Sequence, residues 1–154
     1  MFRDLRRTDR RMEHSSVEAI LQDGDYGVMS CIGDDGYGYG VALNYVYCDN
    51  AIYYHCAYEG HKLDAIKNNN KVSFLVVNKS LVIPDELRTR YESVIVFGKA
   101  SLVEGQEKDA VLYRIGEKYS KGFEDVVKDE IEKISTNTCV MKIQIEHKEG
   151  KCTE

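Results

Sequence analysis

The chain has 154 residues, a formal net charge of −5, 43% hydrophobic and 31% charged residues, one proline and 12 glycines, a balance that excludes collagen-like, low-complexity and disordered classes. One domain is expected, and an acidic body of this kind excludes a general nucleic-acid binder. No apolar run approaches the roughly 18 residues that span a bilayer, so no membrane segment is expected and the reading is cytoplasmic.

The chain opens on a basic arm. Residues 1–12 carry five arginines (Arg3, Arg6, Arg7, Arg10 and Arg11) against Asp4 and Asp9, a net +3, which leaves −8 on the remainder. Such an arm is compatible with solvation, with a small anionic ligand or with a partner subunit. Ser15 and Glu18 then have the spacing of a capping box, and Val17, Ile20 and Leu21 share one face of a short helix that Asp23-Gly24 stops. A strand is predicted over 26–32, and Gly33-Asp34-Asp35-Gly36 reads as a hairpin turn into a second strand over 40–48. Asp49-Asn50 turns the chain again into a third strand, 51–56, completing an antiparallel meander.

At Gly60 the period changes. Residues 61–69 place Leu63 and Ile66 on one helical face, and Asn68-Asn69-Asn70 ends that helix. A strand follows over 72–77, then a polar loop, 78–90, that holds the sole proline, Pro84. A long strand over 93–103 contains Gly98, where a bulge is expected. Two helices, 106–119 and 123–134, precede a closing strand over 139–145 and a polar tail, 146–154. Six strands with few helices make a mainly β fold with peripheral helices, an antiparallel barrel rather than a doubly wound sheet.

Several chemistries are missing. Gly33, Gly36, Gly38 and Gly40 lead into a strand and not into a helix, so they form a hairpin rather than a dinucleotide fingerprint. The four histidines (His14, His55, His61 and His147) lack metal-ligand spacing, and the five cysteines are odd in number without a CxxC, which reads as reduced thiols. What stands out is 52–64, a strand that runs through a glycine turn into a helix with Lys62 in its first turn. The first amides of a helix have no internal partner and carry partial positive charge, so an added ammonium makes a seat for phosphate. A solvated Lys62 beside Glu59 and Asp64 is the competing reading. Alternation puts Tyr53, His55 and Ala57 on one face of the strand and Ile52, Tyr54 and Cys56 on the other. His55 reads either as a hydrogen-bonded histidine at a barrel edge or as a donor or proton carrier, and Cys56 as a packed thiol.

Three ordered blocks, Leu43-Asn44-Tyr45-Val46-Tyr47, 53–64 and 91–100, together with Arg6-Arg7-Thr8-Asp9-Arg10 and Gly150-Lys151, closely resemble the FMN-binding split-barrel proteins related to pyridoxamine 5′-phosphate oxidase, in particular their nitroimidazole-resistance-like branch. The resemblance implies a six-stranded Greek-key split barrel and a homodimer with FMN at the subunit interface. It implies Lys62 as phosphate anchor, Leu43, Asn44, Tyr45 and Val46 along the flavin ring, His55, Cys56 and Ala57 beside it, and Ser93 and Val94 reaching it from the long strand. His55 is the catalytic candidate. Ser93 and Val94 stand where the oxidase proper uses other residues, which disfavours pyridoxamine phosphate as substrate. The implied activity is an FMN-dependent oxidoreductase passing electrons from NADH or NADPH to a small acceptor such as a nitroaromatic; the alternative is a flavin carrier or sensor on the same fold, and related barrels also hold haem or deazaflavin.

Overall fold

The stretch 40–48 does not run as one strand. In a computed structural model, which describes residues 1–153, strand β2 (Gly38–Leu43) ends before Asn44 and β3 (Val46–Cys48) begins after Tyr45. Tyr45 causes the break by turning inward. Its ring is fully buried, packs edge-on against Phe74 at 5.0 Å, and its hydroxyl donates to the Leu21 carbonyl at 2.8 Å. The chain thus forms seven strands rather than six.

All pairings are antiparallel in one sheet of order β2-β1-β5-β6-β7-β4-β3, with β1 at Gly27–Ile32, β4 at Ala51–Cys56, β5 at Lys71–Ile83, β6 at Arg88–Val103 and β7 at Cys139–Thr153. The two edge strands, β2 and β3, are joined by only two residues. Three Cα steps reach at most about 11 Å, whereas a flat sheet of this width would set its edges about 29 Å apart. The sheet therefore curls until its edges meet at this corner. It remains open as a sheet, with β2 and β3 as its unpaired edges.

Two further expectations are corrected. The polar loop 78–90 is instead a continuation of β5 and β6, paired as far as Ile83↔Arg88 around a short 3-10 turn at Pro84–Glu86. Backbone pairing needs no buried face, and here neither face is covered: Leu81, Val82 and Leu87 are all exposed. Likewise residues 146–153 of the polar tail are part of β7, which pairs with β6 out to Tyr91↔Thr153, and Glu154 lies outside the described residues. The capping box at Ser15 does not form either. Helix α1 (His14–Asp23) starts two residues earlier, with Glu13 at the N-cap and no side-chain cap, and Glu18 accepts from the Tyr47 hydroxyl at 2.6 Å and pairs with Lys148. The expected irregularity at Gly98 is present as a register shift between Phe97 and Gly98.

Strand β4 divides two apolar clusters. Ile52 and Tyr54 face the barrel interior with Met29, Phe74, Val96 and Ile143, which α1 closes with Leu21 and α2 (His61–Asn68) with Leu63. Tyr53 faces the opposite way, beneath α3 (Gly105–Tyr119) and α4 (Glu124–Ile134), against Val111, Leu112 and Ile131. The outer face of β1, β5, β6 and β7 carries exposed Ile32, Leu75 and Val77. The basic arm crosses part of this face: Phe2 stacks on His147 at 4.9 Å, and the Met12 amide donates to the Gly150 carbonyl. Among the described residues no helix is long and apolar enough to cross a membrane.

Candidate functional site

The site is built where β4 leaves the sheet. After Cys56 the chain turns through four residues and enters α2 at His61. Gly60 makes that entry at φ 137°, a backbone conformation that side chains rarely tolerate. The Leu63 and Asp64 amides both donate to the Gly60 carbonyl, at 3.0 and 3.1 Å, and no side chain caps the helix. Among the described residues the amides of His61 and Lys62 have no hydrogen-bond acceptor, and they lie at the positive end of the helix dipole.

Lys62 is half-buried there and has no carboxylate within ion-pair range among the described residues; Asp64 turns to Lys67 instead, at 3.7 Å. Its charge is felt by the thiols of Cys31, Cys56 and Cys139. Burial nevertheless dominates at these sulfurs and pushes the Cys56 thiol up to about 11, so Cys56 is a protonated, packed group at neutral pH. His61 stacks on Tyr39 at 4.0 Å, which ties the start of α2 to β2. Free amides, an unpaired ammonium and a positive helix end are the features that hold a phosphoryl group.

The remaining sequence-predicted residues are spread over three other places. Leu43 and Cys56 pack on the same interior cluster, and Ala57 is exposed in the turn. At the β2–β3 corner the Asn44 amide donates to the Asp25 carbonyl at 3.1 Å, Val46 is buried, and the Tyr45 hydroxyl is committed to Leu21. The polar side chains of 44 and 45 therefore hold the corner. His55 lies on the far side of β4, where it opens on an apolar groove of about 320 Å3 lined by Leu112, Ile115, Phe123 and Ile131. Desolvation by the neighbouring side chains lowers its pKa, which favours the neutral imidazole with one donor and one acceptor. Ser93 stands on the outer sheet face, whereas the Val94 side chain is fully buried in the barrel.

Sequence reasoning missed Lys118 and Tyr119. Lys118 Nζ donates to the carbonyls of Gly24 and Tyr45, at 2.6 and 2.9 Å, and sits 4.1 Å from the Tyr45 ring centre. The Tyr119 hydroxyl accepts from the Tyr45 amide at 3.0 Å. These two residues at the end of α3 clamp the corner between β2 and β3. Nothing local in the sequence distinguishes Tyr119 from any other residue at the end of a helix, or Lys118 from a solvated lysine.

Residues 13–152 match the pyridoxamine 5′-phosphate oxidase family. No curated protein matches the chain. Among solved structures, a protein from Bacteroides thetaiotaomicron assigned to 5-nitroimidazole antibiotic resistance is 23% identical with a TM-score of 0.75, over 92% of this chain and 86% of that one. A conserved hypothetical protein from Mycobacterium tuberculosis is 20% identical with a TM-score of 0.82, over 97% and 90%. An FAD-binding protein from Mesorhizobium loti is 21% identical with a TM-score of 0.66, over 94% and 98%. At these identities the structures speak for the fold, while the family match spans most of the sequence: the chain belongs to the pyridoxamine 5′-phosphate oxidase family.

Proposed function

We propose that the protein is a flavin-dependent oxidoreductase that seats the phosphate of FMN at the start of α2. The observation that carries this reading is the pair of unsatisfied amides at His61 and Lys62 beside the half-buried, unpaired Lys62 ammonium. Family membership and the flavin ligand of the Mesorhizobium loti relative support it. A bound flavin supplies hydride and single-electron transfer. The chain's own groups then position it. Leu43 and the main chain of 44–46 border the ring and Cys56 and Ala57 line its approach from β4, while His55, on the opposite face of β4, offers a hydrogen bond to an acceptor that enters by the groove beneath α3 and α4.

Ser93 and the backbone of Val94 belong to the outer face of β6, away from α2. They reach a flavin if a second copy covers that face, which its exposed Ile32, Leu75 and Val77 favour. The functional unit is then a homodimer with cofactor between subunits, using NADH or NADPH as donor and a small acceptor such as a nitroaromatic. The test is the visible spectrum and mass of the small molecule that copurifies, light scattering for the assembly state, and anaerobic turnover with NADH or NADPH. A yellow dimer whose flavin is reduced and then reoxidised by nitroaromatics supports the reading. Bound flavin that is reduced no faster than free flavin makes the protein a carrier or sensor, and a colourless monomer that does not take up FMN overturns the proposal.

A further inference from the structure

Lys108, in the first turn of α3, is 9% exposed and is the sole charged side chain in the interior among the described residues. An ammonium leaves water at a cost that a carboxylate partner ordinarily offsets. The lysines that pair with carboxylates are Lys67, Lys79, Lys142 and Lys148, and Lys108 is not among them. Its ammonium donates instead to the Tyr58 hydroxyl at 3.0 Å and to the Ser135 carbonyl, and lies 5.5 Å from the Tyr58 ring centre. Ser135 caps the C-terminal end of α4, where the helix dipole is negative. A phenol, a ring face and a helix end thus take the place of a counter-ion.

Tyr58 belongs to the turn 57–60, which carries the chain from β4 into α2. All four residues of that turn are exposed. Among the described residues no backbone hydrogen bond reaches 57–59, and Tyr58 is the turn's one side chain with a hydrogen-bond partner. Gly60 has no side chain to hold it. Helix α2 itself is anchored by buried Leu63, Ala65 and Ile66, and His61 is held from the side of β2 by its stack on Tyr39. What the turn decides is therefore the entry to the helix, where the amides of His61 and Lys62 point. The charges of Lys62 and Lys108 are both felt by the thiol of Cys139, which pairs with Cys56 at the end of β4, so the two ammonium groups lie around the foot of the turn.

We propose that Lys108 is a positioning residue for the phosphate seat: through the Tyr58 hydroxyl it holds the turn 57–60 so that the His61 and Lys62 amides and the Lys62 ammonium converge, and its uncompensated charge reinforces theirs. It touches neither phosphate nor flavin. Hydrogen bonds to a phosphate weaken steeply with misalignment, and a turn that is already ordered does not have to be ordered on binding. The inference rests on the FMN reading above and adds to it that preference for a phosphorylated over an unphosphorylated flavin is set in part from α3.

The test is titration of the flavin-free full chain into FMN and into riboflavin, followed by flavin fluorescence. Tyr58→Phe removes the hydroxyl alone, and Lys108→Met removes the charge and keeps an unbranched stem. Tyr58→Phe is expected to lower FMN affinity about threefold to tenfold, the scale of one hydrogen bond, and Lys108→Met by at least as much, both with riboflavin affinity unchanged. The double variant is expected to bind FMN no more weakly than Lys108→Met, because the two residues form one link. A loss of less than threefold in Tyr58→Phe overturns the proposal, and since Tyr58 is exposed this variant decides even where Lys108→Met does not fold. Equal losses for FMN and riboflavin also overturn it, making the link a general prop of the fold, as do losses that multiply in the double variant. Loss of FMN preference in Lys62→Ala but in neither of the other variants sinks the role of Lys108 and leaves the seat standing. An unmodified chain that binds riboflavin as tightly as FMN sinks the seat itself.

Discussion

Replacing Lys62 by alanine removes one ammonium from the start of α2 and leaves the helix amides in place. The loss follows from the surroundings of that ammonium. It is half-buried, without a carboxylate partner, beside three thiols that burial keeps protonated. A hydrogen bond to a charged group contributes about 1.5–3 kcal/mol. At about 1.4 kcal/mol per factor of ten, FMN affinity falls by about tenfold to a hundredfold. The amides of His61 and Lys62 survive the substitution, so binding weakens without vanishing. Titrating flavin-free protein into FMN and following quenching of the flavin fluorescence reads the constant directly. Riboflavin, which lacks the phosphate, serves as control: its affinity is expected to be the same for the variant and the unmodified chain. An FMN constant within threefold of the unmodified protein, or an equal loss for riboflavin, refutes the assignment of Lys62 to the phosphate.

Two further outcomes test the frame that holds the site. A Cβ on Gly98 would sit 2.3 Å from the Gln144 carbonyl oxygen, so Gly98→Ala forces the bulge between β6 and β7 apart and is expected to cost about 1–3 kcal/mol in urea unfolding; an unchanged midpoint shows that the strands separate freely there. At Glu18, burial alone would raise the carboxyl pKa, but hydrogen bonds from Lys148 and Tyr47 outweigh it and lower it below the ordinary value. A depressed carboxyl contributes stability above its unfolded pKa and loses it as pH falls through the folded one. Lys148, raised by the same contacts against its own desolvation, contributes below its unfolded pKa and loses this as pH rises through the folded one. Glu18→Gln is therefore expected to flatten the acid limb of the stability profile below about pH 4.5, and an acid limb identical to that of the unmodified chain removes the Glu18–Lys148 pair from the account.

Much of this molecule is legible along the chain, because the information is local. Turn chemistry at Gly33-Asp34-Asp35-Gly36 and at Asp49-Asn50, the latter both at positive φ, places β1 against β2 and β3 against β4. The alternation in 51–56 already separates Ile52 and Tyr54 from Tyr53 and His55, and the change of period at Gly60 announces α2 with Lys62 in its first turn. Contacts between distant segments were not legible. Residues 78–90 and 146–153 look like loop and tail because polar side chains say nothing about backbone pairing, and only β6, lying between them, makes both of them strands. The break at Asn44-Tyr45 has the same origin. A tyrosine in an apolar run fits a continuous strand equally well until Leu21, Phe74, Lys118 and Tyr119 surround it, and those partners are 24 to 74 residues away. Local propensity and spacing thus determined most of the elements and the helix start that carries Lys62, whereas the corner at Asn44-Tyr45 and its clamping by Lys118 and Tyr119 were decided by tertiary packing, since an energy that depends on two remote segments meeting leaves no trace in either segment alone.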